Sequence, residues 1–351
     1  MLKIFLPFVD LRGKNPIDLL RAYPDRALSL VRAARRSQGI LANAAALAAL
    51  PFTDRQSHRW LRKNGNPYLY EIETFADIVR ARGIFTLNVQ YEWSCTTGAY
   101  RSVDGVTMLR VLDCPIPSLG KQAMVVLQQG RAGEYYNVTW PGLSGVYNAM
   151  APGRFVAAIN KAPMRRHGKS TVGDFLKNRK HAKQQAALPP AHLLRQVMEY
   201  APTYEAARHM LSTLPIATPV IFTLSGIHPG EGCVIERTED SAQITDLGAG
   251  QRVCAGNHFA SELAGEARGW RPREPDSYGR LKFGMSLYGH ELEAENFEWL
   301  QAPVINPHTR ICMIANASTQ RLMVQGYEGM ARVTELFNMP AVDSYAQRQA
   351  V

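Results

Sequence analysis

The run Ser94-Cys95-Thr96-Thr97-Gly98-Ala99-Tyr100, with Arg110-Val111-Leu112-Asp113 following it, decides how this chain folds. Between the two pieces lies a turn sequence, Val103-Asp104-Gly105, and then a second β-prone run, Val106 to Leu112, so the stretch reads as a β-hairpin. The return strand carries Arg110 and Asp113 back toward Cys95. A nearby cation lowers a thiol's pKa and a carboxylate can orient an amine or another base, which makes Cys95 a candidate activated nucleophile. If the chain were cut before Cys95, the new α-amino group, with a pKa of roughly 8, would supply that base. For Arg110 and Asp113 an ordinary cross-strand ion pair is the plainer alternative. The apolar run Ile84-Phe85-Thr86-Leu87-Asn88-Val89 reads as a strand leading into the hairpin.

Upstream of the hairpin, residues 16 to 94 read mainly as helices. Pro16 with Asp18 opens one, and Pro24 with Asp25 opens another that continues through Arg36. Gln38 to Leu50, rich in Ala, Leu and Ile, ends at Pro51; with its basic neighbours it forms a candidate interfacial helix pair. Tyr70, Ile72, Phe75, Ile78 and Val79 give Tyr68 to Arg82 a helical apolar face, stopped at Gly83. Downstream, short strands recur at Met124–Gln128, Tyr135–Thr139, Gly145–Asn148 and Phe155–Ile159. Residues 161–190 are polar and basic, a helix plus loops. Helix returns from Pro190 to Leu214, and strands resume at Pro219–Leu224, Cys233–Arg237, Gln243–Leu247 and Arg252–Cys254. Val304 to Val324 reads as a strand pair joined near Ala317-Ser318-Thr319. Such an order implies packed sheets flanked by helix layers, an α+β fold.

With 351 residues, 46% of them apolar, the chain can bury a large core. Its five cysteines (95, 114, 233, 254 and 312) are too scattered for a disulfide framework, and no Cys/His spacing suits a metal. Cys114, Cys233, Cys254 and Cys312 sit in apolar runs and read as core. There is no P-loop and no G-x-G-x-x-G, so no nucleotide cofactor is implied, and Gly142-Leu143-Ser144-Gly145 has the wrong spacing for a serine nucleophile elbow. The net charge of +10 is concentrated: eight basic residues against Asp174 alone lie between Lys161 and Lys183. This suits an anionic substrate, a lipid surface or simply a solvated face; without a nucleic-acid module signature, nucleic acid is not an expected partner. The start, broken by Pro7 and Asp10, does not read as a secretory signal, so the expected location is cytoplasmic, with peripheral contact at a membrane.

The stretch Leu87-Asn88-Val89-Gln90-Tyr91-Glu92-Trp93-Ser94-Cys95-Thr96-Thr97, with Arg110-x-x-Asp113 after it, resembles the processing site of the N-terminal-nucleophile amidases. That group includes acid ceramidase, N-acylethanolamine acid amidase, the choloylglycine hydrolases and acyl-CoA:penicillin acyltransferases. Ser144-Gly145 through Phe155-Val156-Ala157-Ala158-Ile159-Asn160 resembles the strand pair that ends in the family's Asn-Glu-Arg. Gly230-Glu231-Gly232-Cys233-Val234-Ile235-Glu236-Arg237 resembles the ceramidase-type Gly-Glu-Gly strand. Gly256-Asn257-His258-Phe259 and Asp276-Ser277-Tyr278-Gly279-Arg280 are similar to segments of the acyltransferase branch. The similarity covers roughly residues 68 to 326. Val111 stands where many relatives have Asn, and Lys161 where they have Glu.

The resemblance implies a four-layer αββα sandwich, with residues 1–94 as a helical segment retained after self-cleavage and 95–351 as the catalytic core. It implies scission of the Ser94–Cys95 bond by the Cys95 sulfur, then hydrolysis of a non-peptide C–N amide through an S-acyl enzyme. In this picture Arg110 favours the thiolate, Asp113 orients the α-amine, Asn257 helps hold the oxyanion and Arg280 fixes the site, with no cofactor and no metal. An N-acyl amide with a greasy tail is the expected substrate. Acyl transfer from a thioester to an amine, and an uncut relative that binds lipid or a partner without catalysis, are the alternatives.

Overall fold

The hairpin forms around the nucleophile. Ser94–Ser102 (β2) and Gly105–Asp113 (β3) pair antiparallel, with Cys95 opposite Leu112 and Thr97 opposite Arg110. Gly105 makes the turn possible: its φ is +103°, and a Cβ there would stand 2.5 Å from the Ile227 carbonyl oxygen. Every residue of β3 is buried, as befits a central strand. The computed structural model describes residues 4–36, 40–89, 94–261, 263, 269–271 and 276–339.

The hairpin lies inside the first sheet, ordered β12 (Arg252–Ala255), β2, β3, β14 (Thr309–Asn316) and β15 (Arg321–Glu328). The short β16 (Ala331–Arg332) and β17 (Phe337–Met339) both pair with β15. A second sheet of eight strands packs against it. Its order is β1 (Phe8–Asp10), β4 (Met124–Gly130), β5 (Gly133–Thr139), β6 (Asn148–Ala151), β7 (Phe155–Lys161), β9 (Val220–Gly226), β10 (Gly232–Arg237) and β11 (Ala242–Asp246). A two-stranded clasp, β8 (Met164–Arg165) with β13 (Trp270–Arg271), stands apart.

Alternation along β3 builds the layers. Met108 and Leu112 join the large apolar cluster that also holds Val125, Phe155 and Phe222 of the eight-stranded sheet. Leu109 and Val111, pointing the other way, join Leu287, Leu292 and Phe297 in a second cluster. Helices α8 (Pro190–Tyr200) and α9 (Tyr204–Thr213) cover the eight-stranded sheet, while α10 (Ser277–Gly284) and a 3₁₀ turn at Gly289–Leu292 lie on β2. The expected αββα sandwich is therefore present.

Before Cys95 the chain folds into α1 (Pro16–Ala22), α2 (Pro24–Arg36), α3 (Ile40–Lys63), α4 (Leu69–Val79) and α5 (Ile84–Val89), which share an apolar cluster of their own. The segment is not purely helical, because β1 pairs parallel with β4 at the edge of the core's sheet. Helices α6 (Leu119–Gln122) and α7 (Thr171–Gln184) complete the set.

Several local expectations need correction. Ile84–Val89 is a helix, not a strand: both oxygens of Asp54 accept backbone N–H groups there, from Gly83 at 3.0 Å and Thr86 at 2.9 Å. This remote cap satisfies donors that a helix start otherwise leaves open, and it outweighs the β-branched composition. Helix α3 passes through Pro51 to Lys63, and α4 ends at Arg80 in the left-handed region, before Gly83. The strand expected at Gly145–Asn148 begins only at Asn148. Gln90–Trp93, and the side chains of the candidate interfacial helix up to Ala48, lie outside the described residues.

Candidate active site

Cys95 is the second residue of β2 and is buried, at 1% exposure. Its backbone N–H donates to Asn257 Oδ1 at 2.7 Å. Its carbonyl oxygen accepts from Arg280 Nη1 and, at 3.5 Å, from Asn160 Nδ2. Arg280 also donates to Thr96 Oγ1 at 2.9 Å and to Asn257 Oδ1 at 2.8 Å. One guanidinium thus ties the residue after Cys95 to the side chain that faces its nitrogen. Arg280 comes from α10, whose N-cap is Asp276: its carboxylate accepts the Gly279 N–H. Ser277 on the same turn receives the Asn257 N–H at 2.6 Å, which fixes the loop after β12.

Arg110 reaches the site from β3. Its Nη1 donates to Asn160 Oδ1 at 2.7 Å, so Asn160, at the end of β7, links the two sheets across Cys95. Arg110 Nη2 is buried and has no hydrogen-bond partner among the described residues. Asp113, at the end of β3, accepts from Asn306 Nδ2 at 2.8 Å and from Thr309 Oγ1 at 2.9 Å, with Arg280 Nη1 3.9 Å away. All five residues singled out in the sequence are buried and meet in one network.

Two placements differ from the expected roles. The Cys95 nitrogen faces Asn257, while the Asp113 oxygens are held by Asn306 and Thr309. The Asn257 Nδ2 donates to the Lys161 carbonyl at 2.8 Å, and only its second hydrogen is left for an oxyanion. Asn306, Thr309 and Thr96 escaped sequence reading. Nothing local marks Asn306 in a polar loop, whereas Asn160 lay in a segment already singled out.

The electrostatics favour an incoming anion. Burial pushes the Cys95 thiol up; Arg110 and Arg280 pull it down, and Asp113 opposes them. Burial also pushes the Asp113 carboxyl up, against Arg280 and the two hydrogen bonds. Two guanidiniums therefore stand over a thiol and a carboxyl that both resist ionisation. Charge developing on sulfur or on a tetrahedral oxygen would be met by donors already in position.

The sequence is similar to two groups of curated proteins. Acid ceramidase of Heterocephalus glaber is 29% identical over 110 residues, 31% of this chain and 27% of the relative's length. The N-acylethanolamine-hydrolyzing acid amidase of Oryctolagus cuniculus is 27% identical over 183 residues, 50% of this chain and 48% of the relative's. Both relatives belong to the N-terminal-nucleophile amidases that the sequence resembles. The chain spans about a quarter of the length of the acid ceramidases that it matches, and just under half of the acylethanolamine amidases. No family model matches it. A solved Caenorhabditis elegans ortholog of N-acylethanolamine-hydrolyzing acid amidase covers 70% of this chain and 100% of its own, at 18% identity and a TM-score of 0.46.

Among the described residues no group of three or more His, Cys, Asp and Glu side chains could hold a metal ion. Likewise, no described helix is long and apolar enough to cross a membrane.

Proposed function

We propose that this chain is a self-processing cysteine amidase that hydrolyses the C–N bond of an N-acyl amide through an S-acyl enzyme on Cys95. One observation carries the reading: Arg110, Asp113, Asn257 and Arg280, spread over 171 positions of sequence, converge on the backbone and sulfur of a single buried cysteine. In the uncut chain the Cys95 sulfur attacks the Ser94 carbonyl carbon. The peptide C–N bond breaks as the nitrogen takes up a proton, and water then hydrolyses the thioester.

The freed α-amine is left where the peptide nitrogen now stands, 2.7 Å from Asn257 Oδ1. Asn257 holds that amine in place, and the amine takes the thiol proton during attack on a substrate amide and passes it to the leaving nitrogen. Arg110 Nη2 and the second Asn257 Nδ2 hydrogen are donors for the tetrahedral oxyanion; loss of one such donor typically costs ~10²–10³ in rate. Asp113 acts as a positioning residue, through Arg280. The same network supports acyl transfer if an amine replaces water in the second step.

Intact mass of the purified protein tests the reading. Two fragments meeting at Ser94/Cys95, absent in Cys95→Ala, are expected. A wild-type chain that stays whole and whose Cys95 resists acyl electrophiles would overturn it and favour the non-catalytic alternative.

A further inference from the structure

The turn Asn306-Pro307-His308-Thr309 serves Asp113 with one donor for each carboxylate oxygen. Asn306 Nδ2 donates to Oδ2 at 2.8 Å, and the Thr309 hydroxyl donates to Oδ1 at 2.9 Å. The turn locks its own side chains. Asn306 Oδ1 accepts the His308 N–H at 2.9 Å. Thr309 Oγ1 accepts the Asn306 N–H at 3.0 Å, which leaves the hydroxyl hydrogen for Asp113. Both side chains are buried.

A β-bulge aims the turn. Ile311 of β14 stands opposite Leu112 of β3, so an unbroken register would set Arg310 opposite Asp113. The bulge sets Thr309 there instead, and bulges of this kind re-aim side chains beside active sites. The displaced Arg310 donates to the Ile116 carbonyl at 2.8 Å and lies 3.9 Å from Glu328. A hydroxyl thus replaces a third guanidinium beside the carboxylate.

Burial pushes the Asp113 carboxyl up; Arg280, Asn306, Thr309 and Arg110, in that order, pull it down. The thiols of Cys95 on β2, Cys114 just after β3 and Cys312 on β14 also face it, and burial pushes each of them up. The charged groups acting on Asp113 are therefore Arg280 of α10 and Arg110 of its own strand. Arg280 Nη1, 3.9 Å from Asp113 Oδ2, is the nitrogen that donates to the Cys95 carbonyl.

We infer that Asn306 and Thr309 are positioning residues: they hold Asp113 as an oriented carboxylate beside Arg280, and so keep Arg280 on the Cys95 carbonyl. Their part in catalysis rests on the amidase reading above; their hold on Asp113 does not.

Carbon-13 NMR of the Asp113 carboxyl in the full, uncut Cys95→Ala chain reads that hold without catalysis, with Asp113→Asn identifying the signal. In this background Thr309→Val is expected to raise the Asp113 midpoint by about one pH unit or more, a tenfold shift in ionisation, and Thr309→Ser to restore it. Should Thr309→Val fail to fold, Asn306→Ala removes the other donor and carries the same expectation. With Cys95 present, a carboxylate that protonates at higher pH moves the acid limb of Ser94/Cys95 cleavage upward by the same amount, and Thr309→Ser returns it. A purely structural role lowers the thermal midpoint while the Asp113 midpoint stays where it was, and that result overturns the inference. So does an Asp113 midpoint that moves while the cleavage limb does not. A wild-type chain that never cleaves, with the Asp113 midpoint still moved by Thr309→Val, removes the amidase and leaves the hold on Asp113 standing.

Discussion

Arg280 donates to three acceptors, the Cys95 carbonyl, Thr96 Oγ1 and Asn257 Oδ1, from a fully buried position. Only a planar fork of donors reaches acceptors spread in this way; a lysine ammonium is one compact charge on a flexible stem. Arg280→Lys conserves charge but leaves at least one buried acceptor unpaired, at ~1–3 kcal/mol. It is expected to lower the thermal midpoint and to slow Ser94/Cys95 cleavage by roughly tenfold or more, since each ~1.4 kcal/mol lost from the transition state is a factor of ten. Time-resolved intact mass, with a thermal melt alongside, checks both. Full-speed cleavage would show that Arg280 serves the fold alone.

The strand that carries the nucleophile has little room behind it. A Cβ on Gly98 would come within 2.5 Å of the Tyr100 ring and 2.8 Å of Cys254 Sγ. Tyr100 is itself fixed, its hydroxyl donating to the Gly284 carbonyl at 2.9 Å on α10, the helix that bears Arg280. Overpacking of this kind typically costs 1–3 kcal/mol. Gly98→Ala should therefore destabilise the protein by about that much and displace α10 from β2. Urea unfolding measures the first effect. Slower cleavage than stability alone explains measures the second.

At the scale of the molecule, a buried polar chain joins the segment before Cys95 to the core. Asn66 Nδ2 donates to His192 Nδ1 at 2.9 Å; the ring's Nε2–H then donates to Ser144 Oγ at 2.8 Å, and that hydroxyl donates to Asn88 Oδ1 at 2.9 Å. Arg195 adds a second tie, donating to Glu71 at 2.9 Å and to Glu199 at 2.8 Å. Asn66, Glu71 and Asn88 precede the proposed cut, and their partners Ser144, His192 and Arg195 follow it. The two fragments are accordingly expected to co-elute after cleavage. Burial, then Arg195, pushes the His192 ring down to about 3 from an ordinary 6.5. A folded base with a depressed pKa contributes stability above the unfolded value and loses it as protons bind the unfolded chain. The tie should weaken as pH falls from 6.5 toward 3, by at most ~1.4 kcal/mol per unit. Urea midpoints at pH 7, 5.5 and 4.5 should fall in that order, and less steeply in His192→Gln.

The sequence by itself determined the hairpin, the helical faces before it and the cysteine within an Arg/Asp frame, because turn chemistry and side-chain periodicity act over a few residues. It also carried Asn257 and Arg280, through short segments that resemble a known family in the right order. Tertiary structure alone decided the rest. Asp54 turned a β-branched run into α5 by capping it from a different helix. Asn306 and Thr309 reached Asp113 from nearly two hundred residues away. A cleft lined by Trp60, Met164 and Phe175 likewise exists only because α7 folds beside α3 and the ends of β7 and β9. Local propensity fixes which elements form; the partners of a buried charge are chosen by packing, which brings together groups that no spacing rule connects.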